Sequence, residues 1–277
     1  MSKDIRESVI AGTWYPGNPS TLKSNIESFF GRVEHQHITG RIIGVVAPHA
    51  GYIYSGQIAA YSYKPIIGAA IDTVIVIGPS HHAYFHGVSV YNKGGYKTPL
   101  GVVPVDISLA NRIIGHSEII SCIDAAHSQE HSIEIQLPFL QVALEKSRFV
   151  PLIMGDQSWQ TCNILAESIY SAAEGKNILV VASSDLSHFH SYDEAVKLDH
   201  VALSHVMEMD AQGLLKDLEK NACEACGGGP MCVMMMVAQK LGANKAELLQ
   251  YANSGDVTGD KTSVVGYASA IFYRDSD

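Results

Sequence analysis

The stretch Ile42-Ile43-Gly44-Val45-Val46-Ala47-Pro48-His49 is an unbroken apolar run that ends in a turn residue and a histidine. The pattern returns in Thr73-Val74-Ile75-Val76-Ile77-Gly78-Pro79-Ser80-His81-His82 and in Asn177-Ile178-Leu179-Val180-Val181-Ala182-Ser183-Ser184-Asp185-Leu186-Ser187-His188. Short, β-branched runs without polar alternation read as strands covered on both faces, as in a parallel α/β sheet. Ligands in such sheets bind beyond the carboxyl ends of the strands. The repeat therefore predicts that His49, His81 and His188 are delivered to one sheet edge.

Working outward, Ser20 or Thr21 can cap a helix through Arg32, and Ser55 a helix over Gln57 to Tyr63. Alternation between Gly87 and Val105, interrupted by Lys97-Thr98-Pro99-Leu100-Gly101, suggests a hairpin. Asp106 can cap a helix from Ile107 to Gly115, and apolar spacing at Ile133, Leu137, Leu140 and Leu144 suggests one helix running toward Lys146. A strand over Phe149 to Gly155, a helix over Thr161 to Glu174 and helix over most of Asp193 to Lys220 follow. Pro230 opens a helix from Met231 to Leu241, and strands over Ala246 to Ala252 and Ser263 to Tyr273 close the chain. No composition shift marks a linker, so residues 1–277 read as one α/β domain.

An apolar fraction of 47% is ample for a large core. With 28 acidic against 19 basic residues the formal net charge is −9. No Lys/Arg-rich block is present, which speaks against nucleic acid or anionic membrane as partner. No apolar segment reaches the roughly 18 residues of a bilayer span, and the opening Met1-Ser2-Lys3-Asp4 lacks a signal peptide's apolar core. A cytoplasmic location is expected. Five cysteines without a secretion signal point to free thiols or metal ligands.

Histidines converging with a thiolate or carboxylate suit zinc, iron or copper. Cys226 lies between a helix and a glycine turn, where nearby helix N-terminal amides are expected to lower its pKa. Cys223 and Cys226 also have the spacing of a redox dithiol. Asp185 and His188 are candidates for acid/base work, with helix or turn capping by Asp185 as the alternative. His131 and Glu134, three apart, would share one face of a helical turn, either at a site or in a capping network. Trp14 either covers a sheet edge or lines a cleft. The methionines Met231, Met234, Met235 and Met236 diverge on a helix and read as core, not as a copper cluster. No G-x-S-x-G elbow or P-loop is present.

Gly12-Thr13-Trp14-Tyr15, Pro48-His49-Ala50-Gly51-Tyr52, Gly78-Pro79-Ser80-His81-His82, Glu130-His131-Ser132-Ile133-Glu134, Ser183-Ser184-Asp185-Leu186-Ser187-His188 and Ala225-Cys226-Gly227 together resemble the Memo family, mediator of cell motility in animals. In prokaryotes that family is protein B of the AmmeMemoRadiSam system, so the resemblance implies a radical-SAM system partner. It also implies a central mixed, mainly parallel sheet flanked by helices, similar to class III extradiol dioxygenases. By resemblance His49, His81 and Cys226 match a metal site, iron before copper, with Asp185, His188, Trp14, His131 and Glu134 around its cleft. Where a ring-cleaving dioxygenase presents a carboxylate, this chain presents a thiol, with Glu224 as an alternative donor two residues away.

Two functions follow as expectations. One is a metal-dependent redox protein, oxygenase-like, with iron or copper on His49, His81 and Cys226, acting on an unknown small molecule. The other is a binding or scaffold protein that receives a peptide in the same cleft without turnover. A thiol redox protein using Cys223 and Cys226 is the third reading.

Overall fold

The computed structural model describes residues 4–34, 38–144 and 146–275; the expected leaderless start at Met1 to Lys3 lies outside them. Its strands, in chain order, are β1 (Ile5–Arg6), β2 (Gly40–Ala47), β3 (Thr73–Pro79), β4 (Val88–Val90), β5 (Gly95–Thr98) and β6 (Gly101–Pro104). They continue with β7 (Ile120–Ser121), β8 (Arg148–Met154), β9 (Ile178–Ser183), β10 (His188–His190), β11 (Lys245–Asn253) and β12 (Val264–Asp275). The main sheet runs β10-β12-β2-β9-β3-β8-β4-β7, with β11 also on β12. The apolar repeats form its parallel centre, β2-β9-β3, extended by parallel β8. Antiparallel β12 and β4 flank that centre, so the sheet is mixed, as expected of the fold.

Register explains the edge. Ala47 pairs with Ser183 and Ile77 with Ala182, so β2, β9 and β3 end at one level. Every residue of β3 and β9 is buried, which is why these segments carry no polar alternation. The helix Gly228–Lys240 packs on β2, β3 and β9, and the helix Tyr52–Tyr63 on β2 and β12. Gly44 makes the first contact close: a Cβ there would lie 2.4 Å from Met234 Sδ. Met231, Met234 and Met235 are fully buried in this core, as their helical divergence predicts.

Several local expectations change. Asn18, not Ser20 or Thr21, caps the helix Pro19–Gly31, its Oδ1 accepting from Thr21 N. The helix predicted from Gln57 begins at Tyr52, because Ser55 turns its hydroxyl to Ala50 O inside the first turn. The single helix expected from His131 toward Lys146 is broken into His131–Glu134 and Leu137–Ala143. Pro138 is the cause, since its ring would clash with the carbonyl of Glu134 in a continuous helix. Pro230 is the third residue of its helix, not the first; first-turn amides have no intrahelical partner, so nothing is lost. Asp106 caps Ile107–Ile114 as read from the sequence, accepting from Leu109 N at 3.0 Å. The expected hairpin is β5-β6, which belongs with β1 to a separate three-stranded sheet. The connection between the two closing strands contains the short helix Ser254–Thr258. Among the described residues, no helix is long and apolar enough to cross a membrane.

Candidate metal centre

His49 follows β2 by two residues and His81 follows β3 by two. His188 arrives differently: β9 stops at Ser183, and His188 opens the short edge strand β10, which pairs with β12. It is therefore not at the end of a parallel strand, yet it lines the same cleft. That cleft, about 420 Å³, is lined by Trp14, His49, His81, His131, Asp185 and His188 among others. A larger cavity of about 700 Å³, around Leu100, Val103 and Gln141, has no histidine or cysteine in its wall among the described residues. Chemistry, not size, picks the smaller one.

The structure brings His49, His81 and Cys226 together, each offering a ligand atom within 4.8 Å of the other two. Cys226 Sγ lies 3.0 Å from His49 Nε2. Around a tetrahedral ion, nitrogen and sulfur ligands sit about 3.5 Å apart, given bonds of about 2.0 and 2.3 Å. The pair is thus set to open by a few tenths of an ångström around a cation.

Hydrogen bonds fix which imidazole nitrogen is bare. Ser183 Oγ donates to Ser132 O at 2.6 Å, so it must accept from His49 Nδ1 at 3.1 Å. His81 Nδ1 is 2.9 Å from the Glu130 carboxylate, and His188 Nδ1 is 2.8 Å from Leu186 O; both acceptors require N–H there. All three rings therefore carry the proton on Nδ1 and present the Nε2 lone pair, the arrangement that outer partners of metal-bound histidines impose. Glu130 does more, since its second oxygen accepts from His81 N at 2.6 Å and its first also from Ser132 N at 2.9 Å. Burial alone would raise its pKa, but these bonds to His81 and Ser132 hold it well below the usual carboxylate range.

Burial keeps His49 and Cys226 uncharged. It lowers the pKa of His49 to about 3, helped by neighbouring His81, and that of His131 to about 3, helped by His49. It raises Asp185 to about 6 against the pull of the His49 amide, whose N–H donates to Asp185 Oδ1 at 2.7 Å. Cys226 corrects the expectation of an acidified thiol. Burial and then nearby Asp185 push its pKa far up, outweighing the Asp185 N–H bond to Sγ at 3.2 Å and the adjacent helix start. Neutral imidazole is the form that binds metals, whereas the thiol must lose its proton as it ligates.

The remaining predicted residues separate. Trp14 is on the cleft wall, its ring 4.4 Å from that of His131, which itself stacks 4.5 Å from His81. Tyr52 N–H donates to Trp14 O at 2.8 Å and so ties that wall to the turn after His49. Glu134 is not a cleft residue. Fully buried, it pairs with Arg6 and accepts from Ser8, Tyr15 O–H at 2.6 Å and Val9 N at 3.0 Å. Glu224 accepts from His188 N and His190 Nε2 and does not line that cleft. Cys223 is buried and free, its pKa raised to about 11 mainly by burial. Sequence reading did not assign Ser183, Gln136 or Glu130 a supporting role. Only the Glu130-His131-Ser132 capping pattern carried a signal, through the helix start it implies.

A mixed α/β sheet whose strand ends bring two imidazoles up to a thiol from the start of a neighbouring helix defines a protein with a metal-capable His/His/Cys centre. The chain belongs to the Memo family: the family description "Memo-like protein" matches residues 6–271. A MEMO1 family protein of Methanobrevibacter smithii is 40% identical over 283 residues, covering 97% of this chain and 99% of its own. One from Methanosarcina mazei is 38% identical over 273 residues with the same coverage. The crystal structure of an uncharacterized Escherichia coli K12 protein superposes with a TM-score of 0.53 at 12% identity, covering 83% of this chain and all of that one. That likeness extends to the fold alone.

Proposed function

We propose that this Memo-family protein is a metal-binding redox protein in which His49, His81 and Cys226 hold iron or, as the second choice, copper. The reading is carried by one observation: two imidazoles with bare Nε2 atoms and one thiol share a space narrow enough for a single ion. A bound ion would supply one-electron chemistry and polarise a small molecule held in the cleft. The chain's own residues do the rest. Glu130 and Ser183 keep the two rings oriented, and the Asp185 N–H holds the sulfur in place from behind. Asp185 and the bare Nε2 of His188 are the groups that take up or return a proton beside the centre. A thiolate in place of the single carboxylate ligand makes the donor set softer than that of a ring-cleaving iron enzyme, which directs the proposal toward redox chemistry in general and oxygenase-like activity as one form of it.

Protein purified without chelator, compared with His49→Ala and Cys226→Ser, tests the reading by metal analysis and by the thiolate-to-metal absorption of a cobalt-loaded sample. Most bound metal is expected to vanish from both variants, and equal content in all three samples would end the proposal.

The second reading, a peptide-binding cleft without turnover, is favoured by the mouth itself, where Trp14, Ile53 and Tyr54 stay exposed beside the histidines. Peptide titrations of apo and metal-loaded protein address it, and affinity indifferent to Trp14→Ala and His49→Ala rejects it.

A further inference from the structure

Phe189 holds a φ of +65°, a left-handed backbone that a bulky residue keeps only where its surroundings over-determine it. It follows His188 in β10, at the point where the register against β12 shifts. The ring itself is 76% exposed, so its own packing is not what holds the conformation. The restraint comes from the residues before it. Leu186 N–H donates to Gly266 O at 2.8 Å, Gly266 N–H to Ser187 O at 2.9 Å, and Ser187 N–H to Asp199 Oδ1 at 2.9 Å.

Asp199 is an unusual anchor. It comes from the helix Tyr192–Glu208, is fully buried, and spends its second oxygen on Tyr251 O–H at 2.7 Å. Strand β12 makes room for it only because residue 266 is glycine: a Cβ there would lie 2.0 Å from Asp199 Oδ2. Burying a carboxylate costs more than the two hydrogen bonds from Ser187 N–H and Tyr251 O–H recover, so the arrangement is poor as a mere staple. Its contact is one residue from His188, whose Nδ1–H is already committed to Leu186 O within the same restrained segment.

We infer that Asp199 is a positioning residue: through Ser187 it fixes the strained entry into β10 and so presents the bare Nε2 of His188 to the cleft. This rests on the reading of His188 as the proton-handling group of that cleft.

The imidazole resonances of the full chain, with His188 assigned by difference from His188→Gln, test the inference alongside thermal unfolding. In Asp199→Ala the His188 signal is expected to shift and broaden beyond any other histidine, while Asp199→Asn, which keeps an acceptor for Ser187 N–H, restores it. Tyr251→Phe removes the other hydrogen bond to the same carboxylate; it is expected to lower Tm and leave His188 in place. Should Asp199→Ala not fold, Asp199→Ser, whose hydroxyl is shorter, takes its place. A His188 signal unmoved in the folded variant, or moved as far by Tyr251→Phe, overturns the assignment. The experiment needs no metal. Failure of all samples, wild type included, to bind an ion would sink the proposed function and leave the positioning result standing, whereas an unmoved His188 sinks the positioning alone.

Discussion

Replacing Glu134 by Gln should loosen the wall that carries Trp14, although Glu134 itself does not line the cleft. The carboxylate joins the short helix bearing His131 to the segment Arg6–Tyr15, accepting from Arg6, Ser8, Val9 N, Ile10 N and Tyr15 O–H. Removing one member of a buried ion pair costs about 3–5 kcal/mol because the partner charge stays behind. At roughly 2–4 °C of Tm per kcal/mol for chains of this order, the fall is about 6–20 °C, with Gln toward the low end. In a Trp159→Phe background Trp14 is the sole tryptophan, so its quenching by acrylamide reports the wall directly. Quenching should rise in Glu134→Gln. The double variant Arg6→Met with Glu134→Leu should recover only part of the loss, because Val9 N, Ile10 N and Tyr15 O–H still lack their acceptor. The pH dependence has a definite sign. Burial would raise the Glu134 pKa, but Arg6, Ser8 and Tyr15 hold it below the ordinary 4.5. A depressed carboxylate stabilises fully above its unfolded value and loses that contribution as pH falls through the folded one. The gap in Tm between wild type and Glu134→Gln should therefore be constant near neutrality and narrow below pH 4.5. A Tm change under about 2 °C with unaltered Trp14 quenching would refute the reasoning.

Glu130→Gln should weaken metal binding by about 10–100-fold through loss of the His81 partner, measured by competition with a chromophoric chelator; unchanged affinity rejects that role. Gly227→Ala puts a Cβ 2.4 Å from Ser183 O, beside both Cys226 and the residue that orients His49. It should cost about 1–3 kcal/mol in denaturant unfolding and lower metal content, whereas Gly31→Ala, at an open position, should do neither. Asp106→Ala removes the cap of Ile107–Ile114 and should cost about 1–2 kcal/mol. Burial pulls the Asp106 pKa upward, but Lys176, Leu109 N–H and Thr73 hold it below the ordinary value, so this contribution too is present at neutral pH and lost on acidification.

The three apolar runs were enough to place the parallel centre of the sheet and the edge to which His49 and His81 belong, because a strand buried on both faces has no other composition open to it. Family resemblance then singled out Cys226, which local reading ranked only as a thiol beside a glycine turn. What sequence spacing misjudged were residues whose meaning is set by a partner far away in the chain. Glu134, three residues from His131, looked like its companion on one helical face. Yet Pro138 breaks the helix after it, and the carboxylate turns to Arg6, 128 residues distant. Cys226 looked acidified by a helix start, but burial in the folded protein dominates a backbone dipole of partial charges. Asp199 carried no signal at all, being one acid in an amphipathic helix until Gly266 and Ser187 are folded against it.

By itself the sequence determined which segments must be buried, in what order strands and helices alternate, and which side chains could bind metal or move protons, since burial pattern and side-chain chemistry are local properties. Only the tertiary structure decided which nitrogen each imidazole leaves bare and which acids face the cleft. Those depend on hydrogen bonds between segments apart in the chain, such as Ser183 with His49 and Glu130 with His81, and the folding of the strands is what brings such pairs within reach.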